Sequence, residues 1–125
     1  MMETACLISL GSNTDGDRNL EIARKELLRY FPDITYAKEC RTRPINLQNP
    51  SLFVNQVALF HTLFSLYEVK NVLKDVEYVC AEIPKDKVHE IIRMDIDLLQ
   101  FGKEVLKPED MKRPYIRNGV KLLSI

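Results

Sequence analysis

The chain has no surplus of charge of either sign, because lysine plus arginine and aspartate plus glutamate each number 18 among its 125 residues. Proteins that bind nucleic acid through its phosphates, or an anionic membrane surface, generally carry a basic excess. The balance therefore argues against both classes. Any anionic ligand of this protein must be held by local charges.

The chain also lacks long apolar runs and paired cysteines. The apolar stretch Cys6–Leu10 is too short for a signal peptide or a membrane span, and Glu3 precedes it. The cysteines at positions 6, 40 and 80 are far apart and form no Cys-x-x-Cys pair. We therefore expect a cytoplasmic protein with reduced, mostly buried thiols.

What is present indicates one ordinary globular domain spanning residues 1–125. The hydrophobic fraction is 46% and the charged fraction is 29%, which are common values for such domains. A chain of this length buries a sufficient core without disulfides or structural metals.

The most informative pattern lies in residues 93–100, where charged and apolar residues alternate in the order Arg93-Met94-Asp95-Ile96-Asp97-Leu98. This period of two predicts a strand with one buried face, on which both carboxylates emerge side by side, about 6.5 Å apart at Cα. Such a pair favours Mg²⁺, which prefers carboxylate oxygens and keeps positions for water and substrate phosphates. The alternative is a merely solvated strand face on which Arg93 neutralises Asp95.

The remaining patterns predict an α+β fold with a ferredoxin-like antiparallel sheet and both helices packed on one face. Residues 42–50 contain two prolines and two asparagines and are expected to form a loop. Ser65 and Glu68 form a capping box at the start of the second helix. The predicted elements are strands over 5–10, 34–42, 52–63 and 93–100, helices near 17–31 and 66–80, and a last short strand near Val120–Leu123.

Five segments in this order resemble the 6-hydroxymethyl-7,8-dihydropterin pyrophosphokinase family, and together they cover essentially the whole chain. They are Leu10–Asn13, Arg41–Ile45, Phe53–Ala58, Val76–Glu77 and Met94–Gly102. The resemblance implies transfer of a pyrophosphoryl group from ATP to the hydroxymethyl group of a reduced pterin in folate biosynthesis, with release of AMP.

The resemblance also implies roles for individual residues. Asp95 and Asp97 would be catalytic and would bind two Mg²⁺ ions together with ATP. The pterin would contact Thr42, Pro44, Ile45, Phe53 and Asn55. A ring face and a side-chain amide suit a flat heterocycle with a donor–acceptor edge. Core packing of Phe53 is the alternative.

On the nucleotide side, the implied contacts are Glu77, Lys85, Lys87, Tyr115 and Lys121. For Glu77 the alternative is a solvated helix carboxylate. Arg117 is expected to supply a catalytic cation, because Pro114-Tyr115 stands where the family has a Pro-His pair.

The chain departs from the family pattern around the nucleotide. Residues 81–92 contain no arginine, the chain has no tryptophan, Ile92 stands at an arginine position and Val120 at an aromatic one. Lysine does not reproduce the bidentate phosphate contacts of arginine. Two classes therefore stay open: a working pyrophosphokinase that uses Lys85, Lys87, Arg113, Arg117 or Lys121, and a non-catalytic pterin- or nucleotide-binding relative. An RNA-binding module is disfavoured by the neutral charge.

Overall fold

A computed structural model describes residues 2–44, 48–80 and 89–123 and shows an antiparallel sheet covered by helices. The strands are β1 (Thr4–Ser12), β2 (Thr35–Tyr36), β3 (Cys40–Thr42), β4 (Phe53–Thr62), β5 (Asp95–Phe101) and β6 (Glu104–Val105). The helices are α1 (Gly16–Tyr30), α2 (Leu66–Val79), α3 (Pro108–Met111) and α4 (Pro114–Leu122). Within these described ranges, no helix has the length and apolar character needed to span a membrane.

The six strands form one open sheet in the order β2-β4-β1-β5-β6, and β3 extends the same edge by pairing with β4. Strand β1 lies between β4 and β5 and is antiparallel to both. Its residue Gly11 lies opposite Asn55 on one side and Asp95 on the other. The α+β class and the antiparallel sheet are confirmed.

The larger core fills the space between the sheet and the helices α1 and α2. Alternate residues of the central strands enter it, including Ile8, Leu10, Ile96 and Leu98, which are at most 6% exposed. The predicted capping box begins α2, where the Glu68 N–H donates to the Ser65 hydroxyl at 3.2 Å and the Ser65 N–H donates to Glu68 Oε1 at 2.9 Å. The alternation predicted for residues 93–100 is confirmed.

A smaller core lies on the opposite face of the sheet, where α4 packs. The predicted strand near Val120–Leu123 was wrong, because residues 120–122 are the last turn of α4 and Leu123 caps it. Pro114 occupies the first turn, where its fixed φ and missing N–H favour a helix. Ile116, Val120 and Leu123 follow at helical spacing and pack on this face.

A further difference concerns the edge strand, whereas the thiols are mostly buried, as predicted. The single strand predicted over 34–42 is divided into β2 and β3, and the Ala37 N–H still bonds to the Val57 carbonyl between them. All three cysteines are free thiols; Cys6 and Cys80 are buried, whereas Cys40 on the edge strand β3 is exposed.

The contact between α4 and β4 depends on Gly119. A Cβ at this position would lie 2.8 Å from both Cβ and Cγ2 of Val57. In an uncrowded helix, glycine to alanine stabilises by about 1 kcal/mol. We expect the reverse for Gly119→Ala, a loss of about 1–3 kcal/mol in the free energy of unfolding, because the helix must move away from the sheet. Urea unfolding checks this, with Asn118→Ala on the exposed side of α4 as the control; a stabilised Gly119→Ala variant would contradict the packing.

Candidate functional site

Asp95 and Asp97 lie on the same side of β5 and line two adjacent clefts. The first cleft, of about 220 Å³, opens on the α4 face of the sheet. The second, of about 480 Å³, opens toward α2. The residues between and beside the two aspartates, Ile96 and Leu98, point into the larger core. The carboxylates therefore stand where the two clefts meet.

The floor of the first cleft carries the predicted amide and aromatic ring. Asn55 is 5% exposed and donates from Nδ2 to Thr42 Oγ1 at 2.6 Å and to the Cys40 carbonyl at 3.5 Å. Its Oδ1 lies over the backbone of Gly11, 3.0 Å from the position that a Cβ would take there. Phe53 is half-buried and lines the same cleft. A flat ring face and a fixed amide are thus brought together.

The start of α4 contributes the other side of the first cleft. The Arg113 guanidinium carbon lies 4.9 Å from the ring centroid of Tyr115. Tyr115 and Ser9 of β1 line this cleft together, and burial raises the pKa of Tyr115. The sequence assigned Tyr115 to the nucleotide, whereas the structure places it in the first cleft together with Phe53.

Lysine side chains line the second cleft. Lys70 and Lys74 come from α2 and Lys107 follows β6, and all three are exposed. None was among the predicted site residues. The positions of Lys70, Lys74 and Glu77, at i, i+4 and i+7, were a usable signal because they share one helix face. Lys107 had no such signal, since the β5–β6 hairpin that places it was not predicted.

Glu77 joins α2 to the carboxylate strand. Its Oε2 accepts the Ile96 N–H at 2.7 Å, and its carboxyl group lies close enough to that of Asp95 to raise the pKa of Asp95. Asp95 as a whole is exposed, but partial desolvation of its carboxyl group, followed by the charges of Asp97 and Glu77, raises the pKa of Asp95 to about 7. Burial also raises the pKa of Asp97, and the Lys107 ammonium opposes that rise. Three neighbouring carboxyl groups therefore share a site that disfavours full ionisation.

The donor set fits a divalent cation that shares its ligands with a substrate. In the part of the chain that the structure describes, no three acidic, histidine or cysteine side chains converge as a complete metal site. Asp95 and Asp97 supply a pair of carboxylates beside two open clefts. Mg²⁺ is commonly held by one or two carboxylates while phosphates and water complete its shell. The aspartate pair matches that mode of binding.

The other predicted site residues are not gathered here. Arg117 and Lys121 are exposed on α4 and line neither cleft. Pro44 follows Thr42 by two residues and does not line the first cleft. Ile45, Lys85 and Lys87 lie outside the described residues. Their proposed roles stay predictions.

The raised pKa of Asp95 has a consequence for stability. The folded state binds this proton more tightly than the unfolded chain, whose aspartates titrate near the ordinary value of 3.8. The free energy of unfolding is therefore lowered by this group as pH rises from about 4 to about 7, and the penalty is complete above that range. In metal-free buffer we expect Asp95→Asn to raise Tm at pH 8 by on the order of a few degrees.

Thermal unfolding at pH 8 and near pH 4 measures this difference, with the exposed Asp75→Asn on α2 as the matched control. Most of the advantage of Asp95→Asn should be lost at the lower pH, where Asp95 is protonated in the folded state and about half protonated in the unfolded chain. An Asp95→Asn variant no more stable than wild type at pH 8 would show that ionised Asp95 does not destabilise the folded state.

Comparison with protein-family models gives one match, over residues 7–123, to 7,8-dihydro-6-hydroxymethylpterin-pyrophosphokinase. No curated protein matches the chain. The matched range contains every residue named above in the two clefts. It spans nearly the whole chain and confirms the resemblance drawn from the five sequence segments. The chain belongs to the 7,8-dihydro-6-hydroxymethylpterin-pyrophosphokinase family.

Proposed function

We propose that this protein transfers the pyrophosphoryl group of ATP to the hydroxymethyl group of 6-hydroxymethyl-7,8-dihydropterin and releases AMP. Family membership implies pyrophosphoryl transfer in folate biosynthesis. The observation that carries the specific proposal is the position of Asp95 and Asp97 between two clefts of different chemistry. One cleft offers an aromatic ring and an amide, and the other offers three lysines.

The first cleft suits the pterin. A pterin is a flat heteroaromatic ring with hydrogen-bond donors and acceptors along one edge. Phe53 offers a ring for stacking, and the Oδ1 atom of Asn55 remains as an acceptor once Nδ2 is engaged by Thr42. Tyr115 at the start of α4 limits the opposite side. A ring bound here has its substituents within the cleft that both aspartates line.

The second cleft suits the triphosphate. Lys70, Lys74 and Lys107 supply positive charge without fixing one geometry, since an ammonium acts as a point charge rather than a fork. Long-range attraction by these exposed side chains is weakened by salt, so they act mainly on phosphates that lie close to them. The cleft accordingly needs a further positive charge at the aspartates.

Mg²⁺ held by Asp95 and Asp97 would supply that charge, neutralising phosphate oxygens and lowering the pKa of a neighbouring hydroxyl group. The two carboxylates border both clefts, because they lie on alternate positions of one strand, on the face opposite the larger core. Glu77 holds the backbone of that strand through Ile96. The protein thus orients both substrates rather than reacting covalently with either.

In the proposed reaction, the hydroxymethyl oxygen of the pterin forms a bond to the β-phosphorus of ATP. The bond between that phosphorus and the oxygen bridging to the α-phosphorus breaks, AMP leaves, and the hydroxyl proton passes to solvent. Phosphoryl-type transfer requires mainly positioning and neutralisation of charge. The two clefts provide the positioning, and the lysines beside the aspartates provide part of the neutralisation.

The direct test measures AMP formed from ATP in the presence of 6-hydroxymethyl-7,8-dihydropterin and Mg²⁺. We expect pterin-dependent AMP from the wild type and a loss of about 100-fold or more in the double variant Asp95→Asn/Asp97→Asn. Asp75→Asn, an exposed change of the same kind on α2, is the control. Pterin binding without AMP above background would favour the non-catalytic relative, and an active double variant would remove the aspartates from the mechanism.

Gly11→Ala tests the pterin cleft separately from the aspartates. The added Cβ would lie 3.0 Å from Asn55 Oδ1 and 3.7 Å from Phe53 Cδ1, so the amide must shift. We expect the affinity for 6-hydroxymethylpterin to fall about tenfold, as when one well-placed hydrogen bond is lost. Fluorescence titration measures the Kd, and the exposed Ser51→Ala serves as the control. Unchanged affinity in Gly11→Ala would place the pterin elsewhere.

A further inference from the structure

A group of hydrogen bonds outside both clefts ties two loops together at Glu90. Its carboxylate Oε1 accepts the N–H of Gln48 at 2.7 Å and the N–H of Asn49 at 2.8 Å. Gln48 and Asn49 belong to the connection between β3 and β4, whereas Glu90 precedes β5. One ionised oxygen thus binds two successive backbone donors of a distant loop, and hydrogen bonds to a charged acceptor are stronger than neutral ones.

The backbone at Glu90 is held from the other side. Its φ is +56°, a left-handed conformation that is uncommon for a residue with a side chain. The Glu90 carbonyl accepts Nδ2 of Asn13 at 2.8 Å and Nδ2 of Asn49 at 3.3 Å. Asn13 Oδ1 in turn accepts the Ile92 N–H at 2.7 Å. A strained residue that is retained by this many contacts indicates a functional constraint.

Both loops reach the first cleft. That cleft is lined by Thr42 at the end of β3 and by Arg43 at the start of the β3–β4 connection, and Ile92 lines it two residues after Glu90. Thr42 also holds the Asn55 amide through Oγ1. The Glu90 carboxylate therefore joins two segments that contribute to the cleft: the β3–β4 connection, which it binds at Gln48 and Asn49, and the segment before β5, which contains Ile92.

We infer that Glu90 is a positioning residue for the first cleft: its carboxylate fixes the β3–β4 connection at Gln48 and Asn49 and thereby sets the wall that contacts the pterin. The identity of the ligand rests on the proposed function, whereas the fixation of the loop does not. Glu90 touches no residue of the second cleft in the bonds described, so its effect falls on the pterin and not on ATP.

Glu90→Gly separates the carboxylate from the backbone, because glycine adopts a positive φ without strain. Asp15→Gly is the matched control, since Asp15 is also an acidic residue at positive φ (45°) and its side chain reaches only Arg18 among the ion pairs, at 3.8 Å. Glu90→Gln keeps a neutral acceptor and should restore part of the effect. Tm should change little in Glu90→Gly.

Amide hydrogen exchange at Gln48 and Asn49 is the first measurement. We expect exchange to become about tenfold faster or more in Glu90→Gly, intermediate in Glu90→Gln and unchanged in Asp15→Gly. The second measurement is binding and turnover of 6-hydroxymethyl-7,8-dihydropterin. Its Kd and KM should rise about tenfold in Glu90→Gly, while kcat and the KM for ATP change less than twofold.

Unchanged exchange in Glu90→Gly would overturn the inference, and so would faster exchange with an unaltered pterin Kd. If the wild type binds no pterin, the proposed function fails. The exchange measurement then still decides whether Glu90 fixes the loop, so the two failures are distinguishable.

Discussion

The register of three neighbouring strands is the constraint on which both clefts depend. Gly11 of β1 lies between Asn55 of β4 and Asp95 of β5, so the Asn55 amide and the acidic pair are fixed relative to one backbone position. A slip of β5 by one residue would turn both aspartates into the larger core. Burial of the apolar residues that alternate with Asp95 and Asp97 prevents that slip. Hydrophobic packing on one face thus determines electrostatics on the other.

The same arrangement explains why the site is costly to the folded state. Asp95 has a raised pKa because burial and two further carboxyl groups disfavour its charge. The protein retains this crowding although Lys107 relieves only part of it. A bound cation would remove the conflict. The crowded carboxyl groups are therefore better explained as a prepared binding site than as a structural ion-pair network.

The sequence predicted those parts of the site in which the local pattern and the tertiary environment agree. Alternation placed Asp95 and Asp97 on one face of β5, and it placed Phe53 and Asn55 on one face of β4. The C-terminal helix was missed because residues 120–123 are apolar enough for a short strand. The apolar residues Ile116, Val120 and Leu123 lie at helical spacing, but the reason for that spacing is their packing on the second face of the sheet. That face carries Leu99, which is left out of the register by an irregularity of the β1–β5 pairing and is fully buried.

Cations of the second cleft were missed for a different reason. Lys70 and Lys74 share one helix face with Glu77, but the same spacing also occurs on solvated helix faces. Their position beside the aspartates depends on the packing of α2 against β5. Glu90 was missed as well, because its contacts to Gln48 and Asn49 bridge segments about 40 residues apart. Long-range hydrogen bonds leave no periodic signal in the sequence.

Under the proposed function, the balance of charge around the aspartate pair determines which form of the nucleotide would suit the second cleft. Three lysines there face three carboxyl groups, namely Asp95, Asp97 and Glu77, so the cleft has little net attraction for a bare polyanion. A nucleotide whose phosphates carry Mg²⁺ would bring a positive charge that neutralises these carboxylates. The lysines would then act on the phosphate oxygens that the Mg²⁺ does not contact. In the proposed reaction the acidic pair therefore selects the metal-bound nucleotide, which a cleft lined by lysines alone would not do.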